Sequence, residues 1–219
     1  ASGLTRQITG RDHLGAEVAI AVVEERPLTI YLNAQEIVTA MTIGDHPEYL
    51  ALGFLRNQGM LPDAGDVTGV DYDEELQVVV VRTGAQTTFE EKLKKKTRTS
   101  GCAVGTVFGD MMEGLEGLEL PATQVRTSWL YALAHQINTL PSLYLEAGAI
   151  HGTVLCQGDV PLIYMEDVGR HNAVDKVAGW MLANDCDPTD KILYTTGRLT
   201  SEMVIKCASM GIPALVSRS

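Results

Sequence analysis

No Cys-x-x-Cys pair occurs in this chain, and its four cysteines, Cys102, Cys156, Cys186 and Cys207, stand far apart with no Cys/His spacing of the zinc-site kind. Neither a disulfide framework nor a bound metal is therefore expected, and a reducing cytoplasm is the compartment that fits. Long apolar runs are also missing. No segment reaches the roughly 18 residues needed to cross a bilayer, and no apolar core follows a basic start, so a membrane role is not expected. Cations are scarce, with 17 Lys and Arg against 28 Asp and Glu and a net charge of −11. That balance argues against broad nucleic-acid binding, which works by neutralising phosphates. An anionic ligand would have to be met by cations gathered locally. Internal repeats and low-complexity tracts are absent as well.

What is present is enough apolar material, 45% of 219 residues, to build one large core or two small ones without staples. The scarce cations are concentrated in one place: Lys92, Lys94, Lys95, Lys96 and Arg98 put five positive charges into seven residues. They lead through Thr99, Ser100 and Gly101 into Cys102, with Gly105 beyond. A thiol attacks as its thiolate, and neighbouring cations lower its pKa from about 8.5. Glycines on both sides clear the approach. Cys102 therefore reads as a candidate nucleophile on a basic arm; the competing reading is a packing cysteine beside a solvated lysine run.

The hydrophobic pattern predicts strands at 17–23, 28–32 and 37–42, a helix over 48–57 ending near Gly59, and a hairpin from 67–72 and 76–82. Together they describe a small α+β domain over residues 1–123, ending in the Cys102 loop and its helix. A second, α/β domain is expected over 124–219. It starts with a helix near 127–140, stopped by Pro141, and continues with strands at 143–146, 150–156 and 160–165. Two helix–strand units follow, with Asn172 and Thr200 as helix caps and strands at 192–195 and 214–216.

Both of the last strand-to-helix loops place a glycine and an arginine at the end of a strand. One is Glu166-Asp167-Val168-Gly169-Arg170-His171-Asn172; the other is Thr196-Gly197-Arg198-Leu199-Thr200. Ligands of open α/β sheets bind at that edge, where helix N-termini offer free N–H groups to phosphate. Arg170 and Arg198 have the forked donors for phosphate or a base edge, while Glu166 and Asp167 can accept from the N–H groups of a purine. A structural ion pair between Arg170 and one of these carboxylates is the alternative, with Asp175 and Lys176 as ordinary helix surface. His171 can share a proton with a ligand phosphate or bond a nearby carbonyl. His151 sits among small residues that leave room for a ligand, or is a satisfied core histidine. Cys156 and Cys207 fall in apolar patterns and read as packing, and Cys186, between Asp185 and Asp187, faces anions that raise its pKa.

Ser100-Gly101-Cys102-Ala103-Val104-Gly105, Gly148-Ala149-Ile150-His151, the 166–176 segment and Thr196-Gly197-Arg198-Leu199-Thr200-Ser201-Glu202-Met203-Val204 together resemble the formate dehydrogenase accessory sulfurtransferase (FdhD) family. The resemblance implies a cytidine-deaminase-like three-layer core for the second domain, and a homodimer that binds a guanine nucleotide such as GDP. It also implies a sulfurtransferase activity. Cys102 would take persulfide sulfur from a cysteine desulfurase and deliver it to the molybdenum of the bis(molybdopterin guanine dinucleotide) cofactor, before insertion into formate dehydrogenase. On this resemblance Lys96, Arg98, His151, Glu166, Asp167, Arg170, His171, Gly197 and Arg198 contact the cofactor. Many family members carry a second cysteine three positions after the first, where Gly105 stands, so a single-cysteine relay is implied. The family's chain also runs on past the position of Ser219, and the C-terminal domain is expected to be truncated here.

Two other functions compete. A zinc nucleobase deaminase needs His-x-Glu and Pro-Cys-x-x-Cys, and neither occurs, since Gly152 and Thr153 follow His151. A non-catalytic chaperone for the molybdenum cofactor or a guanine nucleotide would keep most of its function without Cys102.

Overall fold

The computed structural model describes residues 3–61, 64–84 and 115–219. The chain begins with β1 (Thr5–Arg11) and β2 (Glu17–Val23), an antiparallel hairpin that forms a sheet of its own. The sequence hides β1, because a largely exposed strand lacks the apolar alternation that marks a half-buried one. Strands β3 (Arg26–Leu32), β4 (Gln35–Thr42), β5 (Val67–Asp73) and β6 (Val78–Thr83) build a second sheet in the order β4-β3-β6-β5. Leu28, Ile30 and Leu32 alternate inward on β3, as do Val79 and Val81 on β6. They pack on Leu50, Ala51 and Leu55 of α1 (Pro47–Asn57). Each such side chain contributes roughly 1.5–3 kcal/mol by leaving water. Because α1 lies in the connection between β3 and β6, those two strands can run parallel.

The second half contains α2 (Thr127–Thr139), α3 (Leu143–Ala147), β7 (His151–Gln157), β8 (Val160–Asp167), α4 (Arg170–Ala183), β9 (Lys191–Thr195), α5 (Ser201–Ser209) and β10 (Ala214–Ser217). Its sheet has the order β10-β9-β7-β8, with β7 antiparallel to both neighbours and β10 parallel to β9. One face, with Val154, Cys156, Ile192 and Tyr194, is covered by Leu133 and Ile137 of α2. The other, with Leu155, Met165 and Leu193, is covered by α4 and α5 through Val174, Val177, Met203 and Cys207. The result is a mixed α+β fold with a three-layer second half. Among the described residues no helix is long and apolar enough to cross a membrane.

Two local expectations need correction. Residues 143–146, read as a strand from their alternation, form the short helix α3. The Ser142 hydroxyl accepts the Leu145 N–H at 3.3 Å, and the Glu166 carboxylate takes the N–H groups of Leu143 and Tyr144 at 2.8 and 3.2 Å. Those are the donors a helix start leaves unpaired. Asn172 is not the cap of α4, whose N-cap is Gly169. Its amide instead donates to the Met41 carbonyl at 2.8 Å and to Asp167 at 3.2 Å.

The first-half sheet and the second-half sheet are joined through α1 and α4, which cross backbone to backbone. A Cβ at Gly53 would lie 1.7 Å from the Asp175 carbonyl oxygen, and one at Gly179 would lie 1.9 Å from that of Tyr49. Helix α4 is consequently buried on two sides, between α1 and the sheet.

Candidate functional site

The strand directions bring the carboxyl ends of β8 and β9 and the start of β7 to one edge of the second-half sheet. Helices α4 and α5 start there, three and six residues after those strands end, and a helix start carries unpaired N–H groups and a partial positive charge. Arg170 and Arg198 both lie at this edge. Among the described residues neither forms an ion pair. The Arg170 Nε is buried without a hydrogen-bond partner, and so is the hydroxyl of Thr200, the N-cap residue of α5. Buried donors are normally satisfied. Gly197 is where the Arg170 side chain lies: a Cβ there would stand 2.8 Å from Arg170 Cβ and 3.1 Å from its Cδ. His151, half-buried at the start of β7, has its pKa lowered by burial and then by the charges of Arg170 and Arg198.

Behind this edge, α4 and α5 are linked by two polar rungs one turn apart. His171 Nε2 lies 3.2 Å from a Glu202 carboxylate oxygen, and Lys206 donates to both oxygens of Asp175 at 2.9 and 2.8 Å. Asp175 also accepts from Asn57 of α1 at 2.7 Å. Glu202, Lys206 and Asp175 are all buried. Burial, followed by Lys206, Arg170 and His151, pulls His171 down to about 3. The ring is therefore neutral at pH 7, with its Nε2 3.2 Å from the Glu202 carboxylate. An unfolded chain would protonate this histidine near 6.5. Between those two values the unfolded state binds the extra proton, so stability falls as the pH drops from about 6.5 toward 3, by at most about 1.4 kcal/mol per pH unit for this group. Urea titrations of wild type and His171→Gln at pH 7 and pH 5 should show the smaller pH loss in the variant.

Glu166 and Asp167, expected to accept from a ligand, are instead turned to donors inside the protein. Glu166 bonds the α3 N–H groups and the Tyr164 hydroxyl, the latter at 2.9 Å. Asp167, fully buried, pairs with the fully buried Lys176 at 2.6 Å and accepts from the Thr42 hydroxyl at 2.5 Å. Lys176 also reaches Asp45 at 2.5 Å and the Glu166 carbonyl at 2.9 Å. The pair Arg170–Asp167 does not form, and Asp175 and Lys176 are core rather than surface. Sequence reasoning missed Glu202, Lys206, Asp45 and Thr42. For two of them a signal existed: His171 with Asp175, and Glu202 with Lys206, are each spaced four apart, the spacing that puts both on one helix face.

Of the cysteines, Cys156 and Cys207 are buried, their thiols pushed up to about 12. Cys186 is raised by burial first, with Asp187 and Asp190 adding to it. It lines a cleft of about 450 Å³ with Arg56, Met181, Pro188 and Met210, beyond the far end of α4 from Arg170. Cys102, Lys96 and Arg98, with the rest of the basic arm, lie outside the described residues. No cluster of three metal-ligating side chains occurs among the described residues.

Fold and site together define a mixed α+β protein with an arginine-bearing edge at two helix starts. The chain belongs to the FdhD/NarQ family, whose family model matches residues 23–219. It is 30% identical over 207 residues to the sulfur carrier protein FdhD of Bacillus subtilis, covering 93% of this chain and 79% of the relative. With the protein of the same name from Wolinella succinogenes it shares 31% over 213 residues, covering 96% and 74%. Its fold is similar to the crystal structure of a formate dehydrogenase accessory protein from Desulfotalea psychrophila, with a TM-score of 0.76 and 28% identity. That match covers 98% of this chain and 83% of the other.

Proposed function

We propose that this protein is a sulfur carrier for formate dehydrogenase. Cys102 accepts sulfane sulfur as a persulfide from a cysteine desulfurase and delivers it to the molybdenum of the bis(molybdopterin guanine dinucleotide) cofactor, its substrate, before that cofactor enters the enzyme. The transfer begins with thiolate attack on the donor's outer sulfur, so the carrier thiol must be ionised and accessible. The five cations in residues 92–98 serve that ionisation. The carrier works in the cytoplasm, as a homodimer, and a GDP-like nucleotide is a partial mimic of its substrate.

The observation that carries the reading is the edge where Arg170 and Arg198 have no carboxylate partner among the described residues and Arg170 Nε is buried unbonded. In a chain of net charge −11, two unneutralised arginines beside two helix starts suit a polyanion such as a dinucleotide. Arg170, Arg198, His151, His171 and Gly197 form that part of the site, and Lys96 and Arg98 of the basic arm are assigned to the same ligand.

The test is intact-mass spectrometry under non-reducing conditions, after incubation with a cysteine desulfurase and cysteine. Wild type should gain one sulfur atom and Cys102→Ala none. Equal gain by both, or gain by neither, ends the relay through Cys102 and favours the chaperone.

A further inference from the structure

A third arginine stands at this edge. Strand β10 runs parallel to β9 with Ser217 level with Thr195, so Arg218 leaves the sheet beside the Thr196-Gly197-Arg198 loop. That neighbourhood is fastened twice. The Arg218 N–H donates to the Thr195 carbonyl at 3.1 Å, and the Ser217 hydroxyl donates to the Gly197 carbonyl at 2.8 Å. Gly197 is also the residue on which the Arg170 side chain lies. Arg170 and Arg218 therefore flank one loop.

Their side chains belong to different layers. Arg170 comes from α4, on the face of the sheet that α4 and α5 cover. The Arg218 guanidinium goes to the opposite layer, where its Nη1 donates to the Asn138 amide oxygen in the last turn of α2 and its carbon lies 5.3 Å from the centre of the Tyr144 ring of α3. With Gly152, Tyr164 and Thr196 it lines a small recess at the strand ends. An aromatic face and an amide oxygen fix a guanidinium in place without neutralising it. Among the described residues Arg218 pairs with no carboxylate, and its remaining side-chain N–H groups have no hydrogen-bond partner. The residue is exposed, so those donors are open to a ligand.

We infer that Arg218, held by Asn138 and Tyr144, is a third ligand-binding arginine, and that the site takes an extended polyanion lying across the ends of β9 and β10. One phosphate sits on Arg170 and Arg198 and a further one on Arg218, with only the Gly197–Ser217 pair between. A single pyrophosphate fills the first position alone. The inference rests on the anion reading of the edge given above.

Calorimetry with two probes, inorganic pyrophosphate and inorganic tetrapolyphosphate, tests it on wild type, Arg218→Gln, Arg218→Lys and Arg126→Gln. Arg126 stacks on Trp129 at the other end of α2 and controls for the loss of one positive charge anywhere on the surface. Wild type should bind tetrapolyphosphate more tightly than pyrophosphate. Arg218→Gln should weaken tetrapolyphosphate about tenfold, the scale of a hydrogen bond to a charged group, and leave pyrophosphate within about twofold. Arg218→Lys should recover part of the loss, and Arg126→Gln should leave both probes within about twofold. Equal weakening of both probes by Arg218→Gln would make the arginine structural, and undiminished tetrapolyphosphate binding would leave it without a ligand; either overturns the inference, as does an equal loss in Arg126→Gln. In those cases pyrophosphate binding by the wild type keeps the anion reading of the edge intact. A wild type that binds neither probe ends that reading and the inference with it.

Discussion

Replacing Lys176 by methionine is expected to lower the free energy of unfolding by about 3–5 kcal/mol, the range for removing one partner of a buried ion pair. The lysine is 0% exposed and neutralises Asp167, also 0% exposed, while reaching Asp45 of the first half. Methionine fills much of the same volume, so the loss comes from charge rather than from a cavity. Asp167 would be left with the Thr42 hydroxyl, the Asn172 amide and the Gly169 N–H as donors and no cation in contact. A buried carboxylate held by hydrogen bonds alone is costly. The measurement is urea unfolding of Lys176→Met and Asp167→Asn beside the double variant Lys176→Met/Asp167→Asn. Removing the orphaned charge should recover a sizeable part of the loss, giving a coupling energy above about 1 kcal/mol. Simple addition of the two single effects would show that the pair is not coupled. Because a domain has only about 5–15 kcal/mol in hand, Lys176→Met should also be markedly less soluble on expression.

Much of the fold was legible because it rests on local pattern. The alternation of Leu28, Ile30 and Leu32, the five-residue buried run of β9 and the stripe of α4 each specify an element without reference to the rest of the chain. The misread stretch, 143–146, depends on a distant group, since the Glu166 carboxylate satisfies the N–H groups that start α3. The same cause hid the roles of the acids in the 166–172 loop. A sequence in which Glu166, Asp167 and Arg170 follow one another invites a ligand site, and nothing local reveals that Lys176 waits one and a half turns into the helix. Asp175 and Lys176 looked like helix surface because a helix with one apolar stripe is normally wet on its other side. Here α1 covers that side, and the polar residues become an internal network joined to Asn57, Asp45 and Thr42. The place of the arginines, by contrast, was legible, because a loop that follows directly on a strand puts its residues at that strand's end whatever the rest of the chain does.

The covering of α4 by α1 leads to the second large effect. Glycine to alanine inside a helix ordinarily stabilises by up to about 1 kcal/mol, since alanine loses less backbone freedom. At Gly179 and Gly53 the sign should reverse. The added methyl carbon would sit 1.9 Å from the Tyr49 carbonyl oxygen in one case and 1.7 Å from that of Asp175 in the other. Those atoms are helix backbone, which cannot turn aside as a side-chain tip can. The helices must separate, and overpacking of this kind costs about 1–3 kcal/mol, or more where backbone has to move. We expect Gly179→Ala and Gly53→Ala each to lose at least about 3 kcal/mol by urea unfolding. Gly65→Ala, with open space around its Cβ, should stay within about 0.5 kcal/mol. A loss below 1 kcal/mol at both crossing glycines would mean that the two helices are not in backbone contact. The same separation would stretch Lys176–Asp45 and Asn57–Asp175, the bonds that tie α4 to the first half. Helix α4 also carries Arg170 and His171 in its first turn. A residue two turns away and without a side chain therefore sets where those two groups stand, and the alanine variants should lose affinity for pyrophosphate even at temperatures where they remain folded.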